Sequence, residues 1–347
     1  MMFYYLIKFM EHTMNNRLWV CLLSIVLLLS TVSNGWSVER SRVEEKQFSM
    51  SPGGTVTVTA DEGGIDVHTW EREEVYLKMT KRAWGKNDRE ANRNLDELEV
   101  EIREEINHLI VRELDRDRTG GSFHFFDLFD PNFWQEQGNR GGVIDFELIV
   151  PENTHLRLRC DEGDVDVSRI QGKMDIEVDE GCVNLEDIVT SQIVVSVDEG
   201  DVNIRRINSR DRGMMTLETD EGSIRIEEGQ IGEADIGTDE GDILFRNIEV
   251  ERFWLNTDEG NIEIDFYPLK DGRYRAETDE GDVEVSLPDN ANLQVVLQTD
   301  EGRIDSDFDL NIQRRDEAER AEGSIGRGEG TLRLYIEEGD IRLLKHR

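Results

Sequence analysis

The sequence has few prolines and few positive charges, and each shortage excludes a class of protein. Only 5 of the 347 residues are proline and 37% are hydrophobic, which argues against a disordered chain. The 40 lysines and arginines are outnumbered by 77 aspartates and glutamates, giving a formal net charge of −37. Because nucleic-acid binding needs a basic surface, we expect no nucleic-acid partner. An envelope protein, a cationic peptide, a surface polymer or cations fit this charge better.

Long apolar runs are absent beyond the first 37 residues. The segment 15–37 has Arg17, then an apolar run of roughly 15 residues, then small residues, which is the layout of a secretory signal peptide. We predict a signal peptide over 1–37, with Met14 as an alternative start. An uncleaved anchor is the other interpretation, although the run is short for a bilayer span. The mature chain is expected in the periplasm, at the cell surface or outside the cell, with no integral membrane span after cleavage.

The tripeptide Asp-Glu-Gly recurs along the chain. Its nine copies begin at Asp61, Asp161, Asp179, Asp198, Asp220, Asp239, Asp258, Asp279 and Asp300. From the second copy onward the intervals are 18, 19, 22, 19, 19, 21 and 21 residues, and 337–339 is a degenerate tenth copy. A repeat of this length is typical of a solenoid, whereas the blades of a β-propeller run to about 40 residues.

Apolar residues flank each triplet at fixed distances. Around Asp198 they are Val195, Val197, Val202 and Ile204, and the other copies follow the same pattern, with threonine one residue before the later triplets. This alternation predicts strand, turn, strand. Val197 and Val202 are an odd number of residues apart, which would reverse the face of a straight strand, so the triplet must be a corner. Its glycine would supply a positive φ. The predicted turn glycines are Gly163, Gly181, Gly200, Gly222, Gly241, Gly260, Gly281 and Gly302.

These patterns predict a mainly β protein, a single elongated β-solenoid. Two facing sheets would form from rungs of about 20 residues, with successive repeats about 4.8 Å apart. The repeat domain is predicted over 151–347, including a C-terminal cap at 310–347. Residues 38–150 are predicted to form a small α+β cap at the N-terminal end. Within this cap we expect strands at 74–84, 99–114 and 142–151 and a helix over 87–98 that starts at Asn87 or Asp88.

An aromatic loop, 119–142, interrupts the predicted cap. It crowds aromatic side chains between glycine-rich flanks, namely Phe125, Phe126, Phe129, Phe133 and Trp134. One interpretation is an exposed loop that contacts a partner or a membrane surface. The other is a loop that folds back and covers the first rung. Acidic neighbours disfavour an anionic membrane as its target.

Two cysteines remain after signal cleavage, Cys160 and Cys182. Export would permit a disulfide between them. One stands just before a triplet and the other just after the next triplet, so they occupy different places in the repeat. We therefore expect two free thiols, buried or half-buried.

The acidic corners are the candidate site. Stacking would align like charges about 5 Å apart, and each such pair repels by roughly 1 kcal/mol even in water. One hypothesis is that carboxylates of the corners bind Ca²⁺ or a similar hard cation, although no calcium-solenoid or EF-hand signature is present. The alternative is a solvated acidic edge that keeps the protein soluble. The candidate cation ligands are Asp179, Glu180, Asp198, Glu199, Asp220, Glu221, Asp239, Glu240, Asp258, Glu259, Asp279 and Glu280.

Catalytic motifs are missing from the sequence. His68, His108, His124 and His155 are scattered and have no metal-ligand spacing. There is no nucleophile elbow, phosphate loop or Cys-His pair. We therefore expect no cofactor and no enzyme activity. A polysaccharide-active enzyme on a β-helix is the least favoured of the functional hypotheses, behind an interaction scaffold and a cation-responsive module.

The order of the parts resembles a bacterial family of β-strand repeat proteins, the toastrack domains or "putative adhesins". Residues 53–83 look like the family's opening, 142–188 like its entry into the repeats and 323–343 like its closing segment. Two features depart from the family: Asp-Glu precedes the turn glycine where members more often carry Ser or Asn, and the aromatic loop is an addition. The resemblance implies an exported, non-enzymatic β-solenoid with a role in adhesion or in the response to envelope stress. It implies no catalytic residue.

Overall fold

The structure, a computed structural model, describes residues 38–114 and 141–346, and within these ranges the protein is almost entirely β. Twenty-two strands belong to one continuous hydrogen-bonded sheet, and a single helix accompanies them. The mainly β class is therefore confirmed. The predicted signal peptide 1–37 and the five aromatic residues of the loop lie outside the described residues.

The strand segments that precede the triplets pair with one another and form what we call the upstream ladder. From β8 to β17 its neighbours are parallel and in register, as in the pair Val178 and Val197. Its strands lie in the spatial order β5 (Val100–Glu105), β6 (His108–Glu113), β2 (Thr55–Glu62), β8 (His155–Glu162), β10 (Met174–Glu180), the second halves of β11 (Val183–Glu199), β12 (Val202–Glu221), β13 (Ile224–Glu240), β14 (Ile243–Glu259) and β15 (Ile262–Glu280), then β21 (Gly330–Glu338), β17 (Leu293–Glu301), β20 (Ala318–Ile325) and β19 (Asn311–Arg315).

The segments that follow the triplets form the downstream ladder. It is also parallel and in register over the repeats, as in the pair Val183 and Val202. Its strands lie in the order β1 (Val38–Ser49), β4 (Glu74–Gly85), β7 (Gly142–Pro151), β3 (Ile65–Trp70), β9 (Val165–Ser168), the first halves of β11 to β15, then β16 (Val283–Leu287), β22 (Ile341–Lys345) and β18 (Ile304–Ser306).

The predicted inward positions all face the interior. In the Asp198 repeat Val195, Val197, Val202 and Ile204 are each at most 1% exposed. The equivalent residues of the other repeats are buried as well, with threonine at the position before the later triplets. The prediction of the core residues is therefore confirmed. It rested on period-2 alternation on each side of the triplet and on the odd number of residues between the two inward positions that flank it.

A second bend, which the pattern did not predict, lies eight residues after the Asp of five successive triplets. A single residue adopts a positive φ there in five successive repeats, namely Arg169, Asp187, Arg206, Glu228 and Asn247, with φ between 55° and 60°. It has no partner in the ladder, so Leu185 and Ile188 both point inward although they are three residues apart. Arg and Glu are not typical residues for this conformation, so composition carried no signal for the bend.

The first triplet stacks directly on the second, although 100 residues separate them in sequence. β2 pairs in parallel with β8, and β3 pairs with β9. The amide of Gly63 donates to the carbonyl oxygen of Glu162 at 2.9 Å. Residues 71–154 are therefore an insertion between two adjacent rungs, and they extend both ladders at the N-terminal end through β5, β6, β1, β4 and β7.

The predicted helix is present as α1 (Asp88–Asp96). Asn87 is its N-cap and accepts hydrogen bonds from the amides of Arg89 and Glu90, both at 3.1 Å. Ala91 and Leu95 are buried, on a helix that follows β4 directly. The strands predicted at 74–84, 99–114 and 142–151 correspond to β4, the β5–β6 hairpin and β7.

The last pair of strands lies inside the stack, not at its end. β21 lies between β15 and β17, and β22 lies between β16 and β18. The degenerate triplet 337–339 thus separates the Asp279 and Asp300 copies, so the expectation that successive repeats stack in order is wrong at this point. The reason is visible in the strand pairing: after β18 the chain turns back through the antiparallel β19–β20 hairpin, and β20 occupies the outer edge of β17.

Candidate functional site

The corner column consists of the stacked Asp-Glu-Gly triplets. Seven of the eight predicted turn glycines have φ between 145° and 156°, and Gly339 in the degenerate copy has φ 147°. Gly302 differs, because its φ lies outside the left-handed range. Backbone conformation therefore explains most of the glycines but not every one.

Close approach of neighbouring corners is the second reason for glycine. A Cβ on Gly241 would lie 2.1 Å from the carbonyl oxygen of Gly222, and one on Gly302 would lie 1.9 Å from that of Gly339. No side chain fits at such distances. The amide of every triplet glycine except Gly302 donates to the glutamate carbonyl of the adjacent corner, as from Gly241 to Glu259 at 2.9 Å, whereas Gly302 donates to Glu317 at 3.2 Å. The triplet is thus a hydrogen-bonded rung of the column as well as a turn.

The buried threonines before the triplets complete this hydrogen bonding. Each hydroxyl donates to the glycine carbonyl of the neighbouring corner, as from Thr238 to Gly222 at 3.0 Å and from Thr257 to Gly241 at 3.0 Å. Thr219, Thr278 and Thr299 make the same contact at 3.2, 3.1 and 2.8 Å. A buried carbonyl oxygen that lacks a hydrogen bond costs free energy. The threonine hydroxyls therefore stabilise the neighbouring corners by donating to their glycine carbonyls.

Cys160 occupies the threonine position of its repeat. Its thiol donates to the carbonyl oxygen of Gly63 at 3.3 Å. Burial, and then the negative charge of Asp161, raises the pKa of the Cys160 thiol to about 12. Cys160 and Cys182 are both free, as the sequence predicted. Cys160 is therefore a structural thiol and not a reactive one.

A second polar ladder, which the sequence analysis missed, runs through the residue after each turn glycine. A carboxylate or amide oxygen there accepts from the backbone amide of the same position in the next repeat. Asp242 Oδ1 accepts from Asn261 at 2.7 Å, and Asn261 Oδ1 accepts from Asp282 at 3.0 Å. The same contact joins Asp164 to Cys182 and Asp201 to Ser223, both at 2.9 Å. The recurrence of Asp, Asn or Ser after the glycine was the available signal.

The Asp and Glu side chains of the triplets point outward. All twelve candidate cation ligands from Asp179 to Glu280 are exposed. The glutamates are register partners, as in Glu199 with Glu221 and Glu240 with Glu259. Among the described residues, no three His, Cys, Asp or Glu side chains come together in a way that could hold a metal ion. The column therefore brings these carboxylates into a row but not into a chelating cluster.

One row of three polar side chains resembles part of a catalytic triad. His68 Nδ1 lies 2.7 Å from Ser168 Oγ, and His68 Nε2 lies 3.2 Å from Asp66 Oδ1. Burial, the largest effect, raises the pKa of Asp66. The three residues lie on β3 and β9, each of which pairs on both sides. Asp66 and His68 lie two residues apart on one face of β3, and Ser168 lies on the neighbouring strand, so these side chains fit a ladder between strands.

Arginine side chains gather in a groove at the N-terminal end of the upstream ladder. It has a volume of about 380 Å³ and runs along β2, with Thr57 and Thr59 between Arg112 on β6 and Arg157 on β8. Thr57 Oγ1 lies 3.0 Å from His108 Nε2. His108 and His155 therefore lie on the same face as these arginines, on strands on either side of β2.

None of the helices in the described ranges is both long enough and apolar enough to span a membrane.

Similarity to known proteins rests on a family model that matches residues 35–344, the Toastrack family DUF4097. A "putative adhesin" from Parabacteroides distasonis shares 10% identity, covering 87% of this chain and 97% of its own, with a TM-score of 0.49. A "putative lipid binding protein" from the same organism shares 12% identity over 87% of this chain and 96% of its own, with a TM-score of 0.42. No curated protein matches the sequence. Because the family model covers most of its length, the chain belongs to the Toastrack family DUF4097.

Proposed function

We propose that the protein is an exported, non-enzymatic β-solenoid with two facing sheets that serves as an adhesin-like interaction scaffold. The observation that carries this proposal is the column of triplets that stack in register from Gly63 to Gly302. Glycine, threonine and the inward aliphatic residues are all used in stacking. The outward faces of the two ladders are left as long surfaces on which a partner can bind.

Export is supported by the predicted signal peptide 1–37. We expect a tagged full-length chain to lose its N-terminal segment near Gly35 or Ser37 and to appear in the envelope or outside the cell. N-terminal sequencing of the mature protein tests this expectation. An intact N-terminus in a cytoplasmic fraction would contradict it.

The scaffold role is tested by binding to envelope material. Beads coated with the mature chain should attach to purified envelope fractions, and soluble mature chain should compete for the attachment. The matched control is the Gly241→Val variant, because its side chain cannot fit 2.1 Å from the Gly222 carbonyl and the stack should fail locally. Equal attachment by beads coated with an unrelated acidic protein would contradict the proposal.

The non-enzymatic part is tested at the row of Ser168, His68 and Asp66. We expect a fluorophosphonate probe, which labels activated serines, to give no labelling of the mature protein, because the three side chains lie on paired strands and fit a side-chain ladder. Labelling that the Ser168→Ala variant abolishes would show that a nucleophilic serine is present after all.

A cation-responsive module is the second candidate. It is favoured by the row of corner glutamates, since those from Glu180 to Glu280 have no ion-pair partner among the described residues. Titration calorimetry with Ca²⁺ and melting curves at matched ionic strength in NaCl test it. A rise in melting temperature specific to Ca²⁺, lost in Glu240→Gln with Glu259→Gln, would support it. Equal effects of the two salts would indicate a solvated acidic edge.

A further inference from the structure

An exposed tryptophan interrupts the polar outer face of the upstream ladder. Trp254 lies on β14 between the buried residues Phe253 and Leu255 and is 49% exposed. Its register partners are Asp235 on β13 and Arg275 on β15. The guanidinium of Arg275 lies 5.6 Å from the centre of the indole ring. This contact orients the ring while leaving half of its surface open to solvent.

The surface near the indole includes a position without a side chain, Gly237. Gly237 is the register partner of Asn256, two residues along the strand from Trp254. The three heavy atoms nearest to a Cβ on Gly237 would all belong to the Asn256 side chain, at 3.4 Å and beyond. Glycine is therefore not required here by the backbone, and it leaves the β13 position opposite Asn256 without a side chain.

Charged side chains of both signs surround this ring, and arginine is the commonest of them. The neighbouring outward positions carry Arg252, Arg273, Arg275 and Arg333. Arg252 pairs with Glu233 at 3.7 Å and Arg275 with Glu277 at 2.5 Å. Arg273 and Arg333 take part in no ion pair within 38–114 and 141–346. The four arginines outnumber the three acidic neighbours Glu233, Asp235 and Glu277, so the surface has a local excess of positive charge in a chain of net charge −37.

We propose that this surface, the Trp254 platform (Trp254, Asn256 and the four arginines), binds an acidic polysaccharide. The indole would pack against the C–H face of a pyranose ring, and Arg273 and Arg333 would bind its carboxylates in bidentate fashion. Asn256 supplies an amide for ring hydroxyls. The inference rests on the proposed scaffold function and names the class of its partner.

A glycan fits this surface better than a protein does. Protein interfaces have an apolar, aromatic-rich centre, whereas a single exposed aromatic ring stands here among planar polar side chains. Tyr335, the nearest other aromatic on this face, is half-buried and donates its hydroxyl to Asp300 at 3.0 Å. The face of a sheet can bind a polymer through several weak contacts at once, because the polymer presents the same chemical unit repeatedly.

The experiment measures binding of the full mature chain to oligogalacturonate by titration calorimetry at low salt. We expect Trp254→Ala to weaken binding roughly tenfold or more, as for a central aromatic anchor. The double variant Arg273→Ala, Arg333→Ala should bind less and lose most of the salt dependence. The fully methyl-esterified oligosaccharide, which keeps the rings and removes the charge, should bind much more weakly than the acid.

Two matched controls locate the effect. Tyr267→Ala removes an aromatic side chain that is 44% exposed on the downstream ladder and should leave binding unchanged. The double variant Arg112→Ala, Arg157→Ala removes two arginines that line the groove along β2, and it should also leave binding unchanged. All variants should keep the parent melting temperature, because the altered side chains are at the surface.

Several outcomes would overturn the inference. One is no binding of any acidic oligosaccharide by the folded chain. Another is binding that survives Trp254→Ala and is lost in the groove variant. A third is equal binding of the acid and its methyl ester. Each leaves the scaffold proposal standing if bead attachment to envelope fractions persists in Trp254→Ala, so the two proposals fail separately.

Discussion

At the residue scale, the triplet glycine meets two demands that coincide at most corners and separate at a few positions. Gly241 combines φ 154° with a virtual Cβ 2.1 Å from Gly222 O. Gly302 keeps the close approach without a left-handed φ, and Gly53 has φ 80° with nothing within 4 Å. Close approach between stacked backbones, not turn geometry alone, explains why glycine ends every triplet.

Three alanine variants separate these effects. We expect Gly53→Ala to lower the free energy of unfolding by about 1 kcal/mol, from conformation alone. Gly302→Ala should cost about 2 kcal/mol from overpacking, and Gly241→Ala about 3 kcal/mol or more, because strain and clash add. Denaturant unfolding measures all three, with Gly237→Ala as the tolerated control. A loss at Gly302 no larger than at Gly237 would refute the role of close approach.

The threonine ladder can be tested in both directions. Thr257→Val removes the donor to Gly241 O while keeping the shape, and we expect a loss of about 1 kcal/mol. Val197 stands at the same position in an earlier repeat, so Val197→Thr should restore the missing donor and gain a few tenths of a kcal/mol to about 1 kcal/mol. Denaturant midpoints at constant slope report both changes. Destabilisation by Val197→Thr would show that the hydroxyl cannot reach the carbonyl there.

The Cys160 thiol gives a pH-dependent prediction. Its folded pKa, about 12, lies above the ordinary value of 9.0 for a cysteine. The unfolded chain therefore releases this proton first as the pH rises, so the contribution to stability is complete below pH 9 and is lost between about 9 and 12. At pH 8 iodoacetamide should label half-exposed Cys182 and spare Cys160, as mass spectrometry can show. Faster labelling of Cys160 would contradict its burial.

At the element scale, the repeats were predictable and their order was not. Alternation, the odd interval across the triplet and the glycine predicted strand, corner and core face, because each repeat obeys the same local steric rules. The insertion of β21 and β22 depends on which strand edges they pair with, and the available edges are equivalent in sequence. Glu338 pairs with Glu280 on one side and Glu301 on the other, and nothing local distinguishes these partners.

Hydrogen exchange tests the inserted strands. β21 and β22 have neighbours on both sides, so we expect their amides to exchange as slowly as those of β13 and β14. β19 lies at the edge, with all five residues exposed, and is the internal control for fast exchange. Exchange of β21 as fast as that of β19 would indicate a tail that lies at the end of the stack.

At the scale of the whole molecule, three of the four ladder ends are antiparallel strands, and the fourth, β18, pairs in parallel with β22. β5 and β19 lie at the two ends of the upstream ladder, and β1 lies at the N-terminal end of the downstream ladder. All three strands carry charged residues: their sequences are VEIREE, NIQRR and VERSRVEEKQFS. Charged edges of either sign oppose strand addition by another copy, so these three edge strands are protected by their charged residues.

Part of the candidate site was predictable from the sequence and part was not. The sequence identified the exposed carboxylates of the triplets, but the ladder through Asp242 and Asn261 and the arginines around Trp254 depend on register between strands. Residues about 20 apart become neighbours only once the corner, the second bend and each repeat length are known together. Of these, the second bend had no compositional signal, so outer-face neighbours could not be assigned in advance.

Disulfide trapping tests the register of the column most directly. Neighbouring repeats lie about 4.8 Å apart, within the reach of a disulfide, and alternate repeats lie about twice as far apart, beyond it. With Cys182→Ser as background, cysteines replacing Glu280 and Glu338, or Glu301 and Glu338, should crosslink under mild oxidation, and those replacing Glu280 and Glu301 should not. A crosslink between positions 280 and 301 with none to 338 would contradict the stacking order described above.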